Sequence, residues 1–134
     1  LTFQALKNKK ITVFGGDQTR PNIHMKDMVR VYQHFVNNSN IESGCYNAGF
    51  ENISILQIAE MVKNKLGAEI IVSESNDPRS YRQNSDKLLN TGFKQEYGVD
   101  YAINEIIDTY KNGILVESDS CYTVKWMKNL NLVG

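Results

Sequence analysis

Hydrophobic and polar positions follow one another in short blocks along this chain, and the period of each block predicts an element. Leu1 to Lys10 reads as the end of a helix running into a Lys/Asn turn, and so abrupt a beginning reads as a cut rather than a natural start. Ile11-Thr12-Val13-Phe14 is a brief β-type run stopped by Gly15-Gly16-Asp17. Asn22-Ile23-His24-Met25 alternates as a half-buried strand should, and Asp27 is then expected as the N-cap of a helix. That helix would turn Met28, Val31, Tyr32 and Phe35 to one side and end in Asn37-Asn38-Ser39-Asn40. Gly44 to Gly49 reads as a short strand between glycines.

The clearest helical signal follows. Ser54 and Gln57 form a capping box, Ile55, Ala59, Val62 and Leu66 recur at helical spacing, and Gly67 suits a left-handed C-terminal cap. Glu69 to Ser73 predicts a strand, and Glu74 to Asn84 a polar loop. A short helix is expected from about Ser85 to Gly92. A longer one runs from about Val99 to Asn112, with Ile103, Ile106, Ile107 and Tyr110 inward and Gly113 as its stop. Tyr122 to Met127 is a last apolar segment. Residues 1–134 therefore read as one small α+β unit of short strands and three to four main helices.

Composition narrows the function classes. Fifteen basic residues balance fifteen acidic ones, which removes any global pull towards nucleic acid or an anionic membrane. The helix after Asp27 carries no Lys/Arg stripe, a second argument against a nucleic-acid-binding domain. No apolar run approaches the roughly 20 residues of a membrane span, and no signal peptide is evident, so a cytoplasmic protein without a membrane partner is expected. Cys45 and Cys121 lie far apart, and neither they nor His24 and His34 have ligands at metal spacing, so reduced thiols and no metal site are expected.

Several chemistries are missing from the motifs. There is no G-x-G-x-x-G after a strand, no P-loop, no G-x-S-x-G elbow and no Tyr-x-x-x-Lys pair. No catalytic residue, and none that would bind a cofactor, is therefore assigned within the chain. Two segments nonetheless suit an anion. Phe14-Gly15-Gly16-Asp17-Gln18-Thr19-Arg20 ends a strand in flexible glycines and then presents an arginine; Asp77-Pro78-Arg79-Ser80-Tyr81-Arg82 holds a second in a rigid polar loop. Two planar guanidinium forks from separate loops match a diphosphate through paired charge-assisted bonds. Solvated surface arginines are the plainer reading of the same residues.

In order and spacing over about residues 1 to 113, these segments resemble the extended short-chain dehydrogenase/reductase family, and within it the NAD-dependent sugar-nucleotide epimerases and dehydratases of the UDP-glucose 4-epimerase kind. Ile11 to Arg20 with Ile23-His24-Met25-Lys26-Asp27-Met28 is similar to the family's Gly-Gly/Asp-x-Gln-x-Arg stretch and its His-Val-x-Asp. Tyr46 to Gly49 with Ile53 to Ala59 resembles its Asn-x-Gly turn and the capped helix beyond. Asp77 to Tyr81, Ser85 to Leu88 and Thr91 to Lys94 resemble its Asp-x-Arg-x-Tyr, Ser-Lys and Leu-Gly-Trp/Phe segments. Pro21-Asn22, Phe50 and Gly98 depart from the family pattern.

The resemblance implies a C-terminal nucleoside-diphosphate-sugar-binding portion of an isomerase or lyase, whose N-terminal Rossmann domain, absent here, binds NAD or NADP and supplies the catalytic Tyr-x-x-x-Lys pair. It further implies a homodimeric parent, a chain inactive by itself, and a role in surface-polysaccharide or nucleotide-sugar biosynthesis. Carried over by residue, Arg20 and Arg79 would grip the diphosphate, Phe14 would lie beside the nucleobase, Asp77 would orient the Arg79 loop or touch ribose, and Tyr81 would border the sugar pocket. Asp27, Ser54 and His24 are expected to be structural. The alternative is a stand-alone, non-catalytic nucleotide-sugar-binding module using the same arginines.

Overall fold

The computed structural model describes residues 1–75, 77 and 79–130. Among them lie α1 (Thr2–Asn8), β1 (Lys10–Phe14), β2 (Thr19–Asn22), α2 (Met25–Asn37), β3 (Glu51–Ser54), α3 (Ile55–Leu66), β4 (Glu69–Ser73), α4 (Asp86–Leu89), α5 (Val99–Lys111) and α6 (Thr123–Asn129). The unit is a small mixed α/β fold. β1 pairs with β4 in parallel, Ile11 opposite Ile70, and β2 pairs with β3 antiparallel, Arg20 opposite Ile53.

Two apolar clusters hold these layers. Ile11 and Val13 of β1 pack with Ala59 and Val62 of α3 and Ile103 and Ile107 of α5. This core follows from the two periods read in the sequence: alternate residues of the strand meet the i, i+3 and i+4 stripes of the helices. Val31, Leu88 and Phe93 form the second cluster, joined by Phe35, Tyr46 and Phe50, and Phe50 stacks on Phe93 at 5.6 Å. An aromatic residue at position 50 is thus accommodated as a core contact.

The helix termini test the local reading closely. Ser54 accepts from the Gln57 amide and the Gln57 side chain accepts from the Ser54 amide, while Gly67 caps α3 at φ 65°. The α2 terminus differs from expectation: His24, not Asp27, is the N-cap, its Nδ1 accepting from the Lys26 amide at 3.1 Å. Asp27 lies inside the first turn and is fully buried. Its Oδ2 accepts from the amides of Glu96 (3.1 Å) and Tyr97 (2.9 Å), and its Oδ1 from Arg30. The residue is structural, but it pins a distant loop rather than capping its own helix.

Other expectations change as well. The strand beginning at Asn22 instead ends there, because β2 takes up Thr19–Asn22 to pair with β3. Gly44 to Gly49 is not a strand: the Gly49 amide donates to Ser85 Oγ, whose hydroxyl donates to the Gly49 carbonyl, so side chains replace a neighbouring strand. Tyr32 is exposed, and α6 buries no residue. At α5, where Gly98 offers no side-chain cap, the Glu51 carboxylate accepts from the Val99 amide at 2.6 Å.

Candidate functional site

The site is assembled where β1 ends and β2, paired with β3, begins. Gly15 and Gly16 take φ of 74° and 118°, which lets the chain reverse sharply after Phe14. A Cβ on Gly15 would overlap the Gln18 side-chain amide. That amide is the tie between loops: Gln18 Oε1 accepts from the Gly16 amide at 2.7 Å, and Nε2 reaches the carbonyls of Phe14 (3.2 Å) and Asp77 (3.5 Å). A second tie runs along β2, where the Thr19 amide donates to Ser80 Oγ at 3.0 Å and the Tyr81 amide to the Thr19 carbonyl at 3.2 Å.

These ties bring Arg20, Asp77, Arg79 and Tyr81 into one group. The Arg20 guanidinium donates to the carbonyls of Thr19 (3.0 Å) and Arg79, lies 3.5 Å from Asp77 Oδ2, and sits 4.6 Å from the centre of the Tyr81 ring. Arg79 donates through Nε and Nη2 to the two Asp77 oxygens at 2.7 and 2.8 Å. One carboxylate thus bridges two arginines. The hydrogen bonds from Arg79, aided by the charge of Arg20, hold the Asp77 carboxyl down to about 2, and Asp77 in turn raises Arg79. Two guanidinium charges against one carboxylate leave a single net positive charge in the group.

Phe14 joins through its carbonyl and Gln18, and the residue is 63% exposed at the end of β1. Aromatic surface left in water suits a flat, partly apolar ligand moiety. Arg82 is exposed and, among the described residues, its side chain has no hydrogen-bond or ion-pair partner; it lines a separate cleft with Asn52, Gln83 and Asn84. Sequence reasoning assigned no role to Gln18 or Ser80. Gln18 could have been found from its place between Gly-Gly and Arg20, whereas Ser80 acts only across two distant loops.

A nicotinamide dinucleotide does not fit this Gly-Gly turn. The Gly15 amide donates to the Ser73 carbonyl and the Gly16 amide to Gln18, so both amides are engaged, and the chain proceeds to a strand rather than a helix N-terminus. Among the described residues no three His, Cys, Asp or Glu side chains gather as a metal site, and no helix is long and apolar enough to cross a membrane. A further ionisable group braces α2 against α5. With Nδ1 of His24 accepting, Nε2 carries the proton and donates to Glu105 at 3.1 Å, while Lys26 binds Glu105 at 2.6 Å and Tyr101 at 2.8 Å. Those hydrogen bonds raise Lys26 and, from Lys26 first, lower Glu105.

No family model matches the chain. Its fold does match solved structures. Over 81% of this chain and 35% of the other, it superposes on ADP-L-glycero-D-manno-heptose-6-epimerase from Helicobacter pylori, with a TM-score of 0.67 and 19% identity. GDP-D-glycero-L-gluco-heptose synthase from Campylobacter jejuni, solved in the presence of NADPH, gives 0.65 and 21% over the same shares. L-Threonine dehydrogenase from Clostridium difficile gives 0.70 and 16% over 86% of this chain and 40% of that one. The chain thus has the fold of one portion, about 35–40% of the length, of these solved structures.

Proposed function

We propose that the chain is the nucleoside-diphosphate-sugar-binding portion of an NAD(P)-dependent sugar-nucleotide epimerase or dehydratase. In this reading a Rossmann domain elsewhere in the protein supplies the nicotinamide cofactor and the catalytic base. The observation that carries the reading is the pairing of Arg20 and Arg79 on Asp77, with Phe14 exposed at the end of the strand that leads into the same turn. Two forks meet the phosphates, Phe14 meets the base, and Tyr81, already stacked on Arg20, borders the sugar. The residues described here orient: gripping the remote diphosphate fixes the sugar ring for chemistry done by other groups.

Titration of uridine and guanosine diphosphates into the chain tests this. Arg20→Ala and Arg79→Ala should each weaken binding roughly ten- to hundredfold, the scale of a lost charge-assisted bond. Arg82→Ala should change it by less than about threefold, as an isolated surface change does. Equal losses at Arg79 and Arg82, or none at Arg20 and Arg79, overturn the assignment. A second reading is favoured by the fold shared with L-threonine dehydrogenase, a protein named for an amino-acid substrate. There a single arginine would hold a carboxylate, and L-threonine rather than the nucleotides would bind.

A further inference from the structure

The arginine pair already holds an anion of the chain's own. Nε and Nη2 of Arg79 meet the two Asp77 oxygens side by side, the arrangement in which the same fork would meet two phosphate oxygens, and Asp77 Oδ2 also faces Arg20. We propose that Asp77 is an internal competitor, occupying the Arg79 fork and lying against Arg20 in the free chain, and giving them up only to a ligand carrying more negative charge than one carboxylate. This rests on the diphosphate-binding reading above, and adds to it a selection: monoanions such as chloride or a simple carboxylate are shut out, and a diphosphate is admitted.

The surroundings separate a fixed part from a movable one. Arg20 is held by two backbone carbonyls and the Tyr81 ring, with its side chain 23% exposed. It stays in place when Asp77 leaves. Arg79 is 70% exposed, and Asp77 is its sole side-chain partner among the described residues. Ion pairs open to water are weak, so the Asp77–Arg79 contact gives way readily to a stronger anion. The backbone of Asp77 stays tied, its amide to Ser75 Oγ at 3.2 Å and its carbonyl to Gln18. Opening therefore needs a side-chain rotation, which also releases the Arg79 amide from Asp77 Oδ1. While the carboxylate occupies the forks, the apparent affinity for any anion is lowered by the fraction of chains in which they are vacant.

The probe is inorganic pyrophosphate, titrated calorimetrically into the wild-type chain and into Asp77→Asn, Asp17→Asn and Arg20→Ala variants, with circular dichroism to verify folding. Asparagine keeps an oxygen for the Arg79 amide, which Asp77 Oδ1 now accepts at 3.1 Å, while the charge and the second acceptor for the Arg79 fork are removed together. Asp77→Asn should bind pyrophosphate about two- to fivefold more tightly, the range an exposed ion pair commands. Asp17, exposed in the adjacent turn, controls for loss of a nearby charge, and Asp17→Asn should change affinity less than about twofold. Arg20→Ala should weaken binding. If Asp77→Asn binds no more tightly while Arg20→Ala still weakens, the competitor is refuted and the arginine site stands. Equal tightening in both Asn variants also refutes it, as general electrostatics. If neither wild type nor Asp77→Asn binds pyrophosphate, the phosphate site fails and the competitor with it.

Discussion

Replacing Asp27 with asparagine separates two physical roles that one residue type can play. A cap at the N-terminus of α2 would tolerate the change almost without cost, since Asn and Asp are nearly equivalent there. The structure instead buries Asp27 completely, with Oδ2 accepting from the Glu96 and Tyr97 amides and Oδ1 from Arg30. Asparagine has one acceptor oxygen. Turned towards the two amides, it sets its NH2 group against the Arg30 guanidinium; turned the other way, it sets donors against donors at Glu96 and Tyr97. Either leaves buried donors unpaired at about 1–3 kcal/mol, and breaking the pair with Arg30 brings the loss to about 2–4 kcal/mol. For 134 residues the unfolding entropy is about 0.28 kcal/mol/K, so Tm should fall by roughly 7–14 °C. Thermal melts by circular dichroism at neutral pH measure this. A fall of less than about 3 °C would refute the buried-acceptor account and return Asp27 to the role of a simple cap.

Two further outcomes follow from single contacts. Glu51→Ala removes the acceptor for the Val99 amide and should cost about 0.5–2 kcal/mol, as loss of an N-cap does; Gly98→Ser in that background should recover part of the melting temperature, since the vacated carboxylate leaves room for the serine. The Asp77 carboxyl should titrate near 2 by side-chain carbonyl NMR, below its ordinary 3.8. Because the folded value is depressed, its contribution is fully present above about pH 4 and disappears as pH falls towards 2. A midpoint at or above 3.8 would show that the bridge to Arg79 and Arg20 does not form in solution.

Features specified by neighbours in sequence were legible directly. The Ser54–Gln57 box, the Gly67 cap, the Glu69–Ser73 strand and the inward face of α5 each depend on residues within a turn or two, so spacing alone predicts them. The two arginine-bearing segments could also be singled out, from residue type and from order along the chain, as the place to look for a site. What residue type could not decide is which polar group meets which. Asp27 reads as a cap until Glu96 and Tyr97 arrive from far along the chain to use its oxygens. Gly44 to Gly49 reads as a strand until Ser85 satisfies the backbone that a strand partner would have taken. Arg20 and Arg79 remain separate loop residues until Gln18 and Ser80 tie their loops together and Asp77 bridges their forks. Local periodicity specifies elements because their hydrogen bonds close within a few residues; the site waits on tertiary structure because its hydrogen bonds close between segments that only folding brings together.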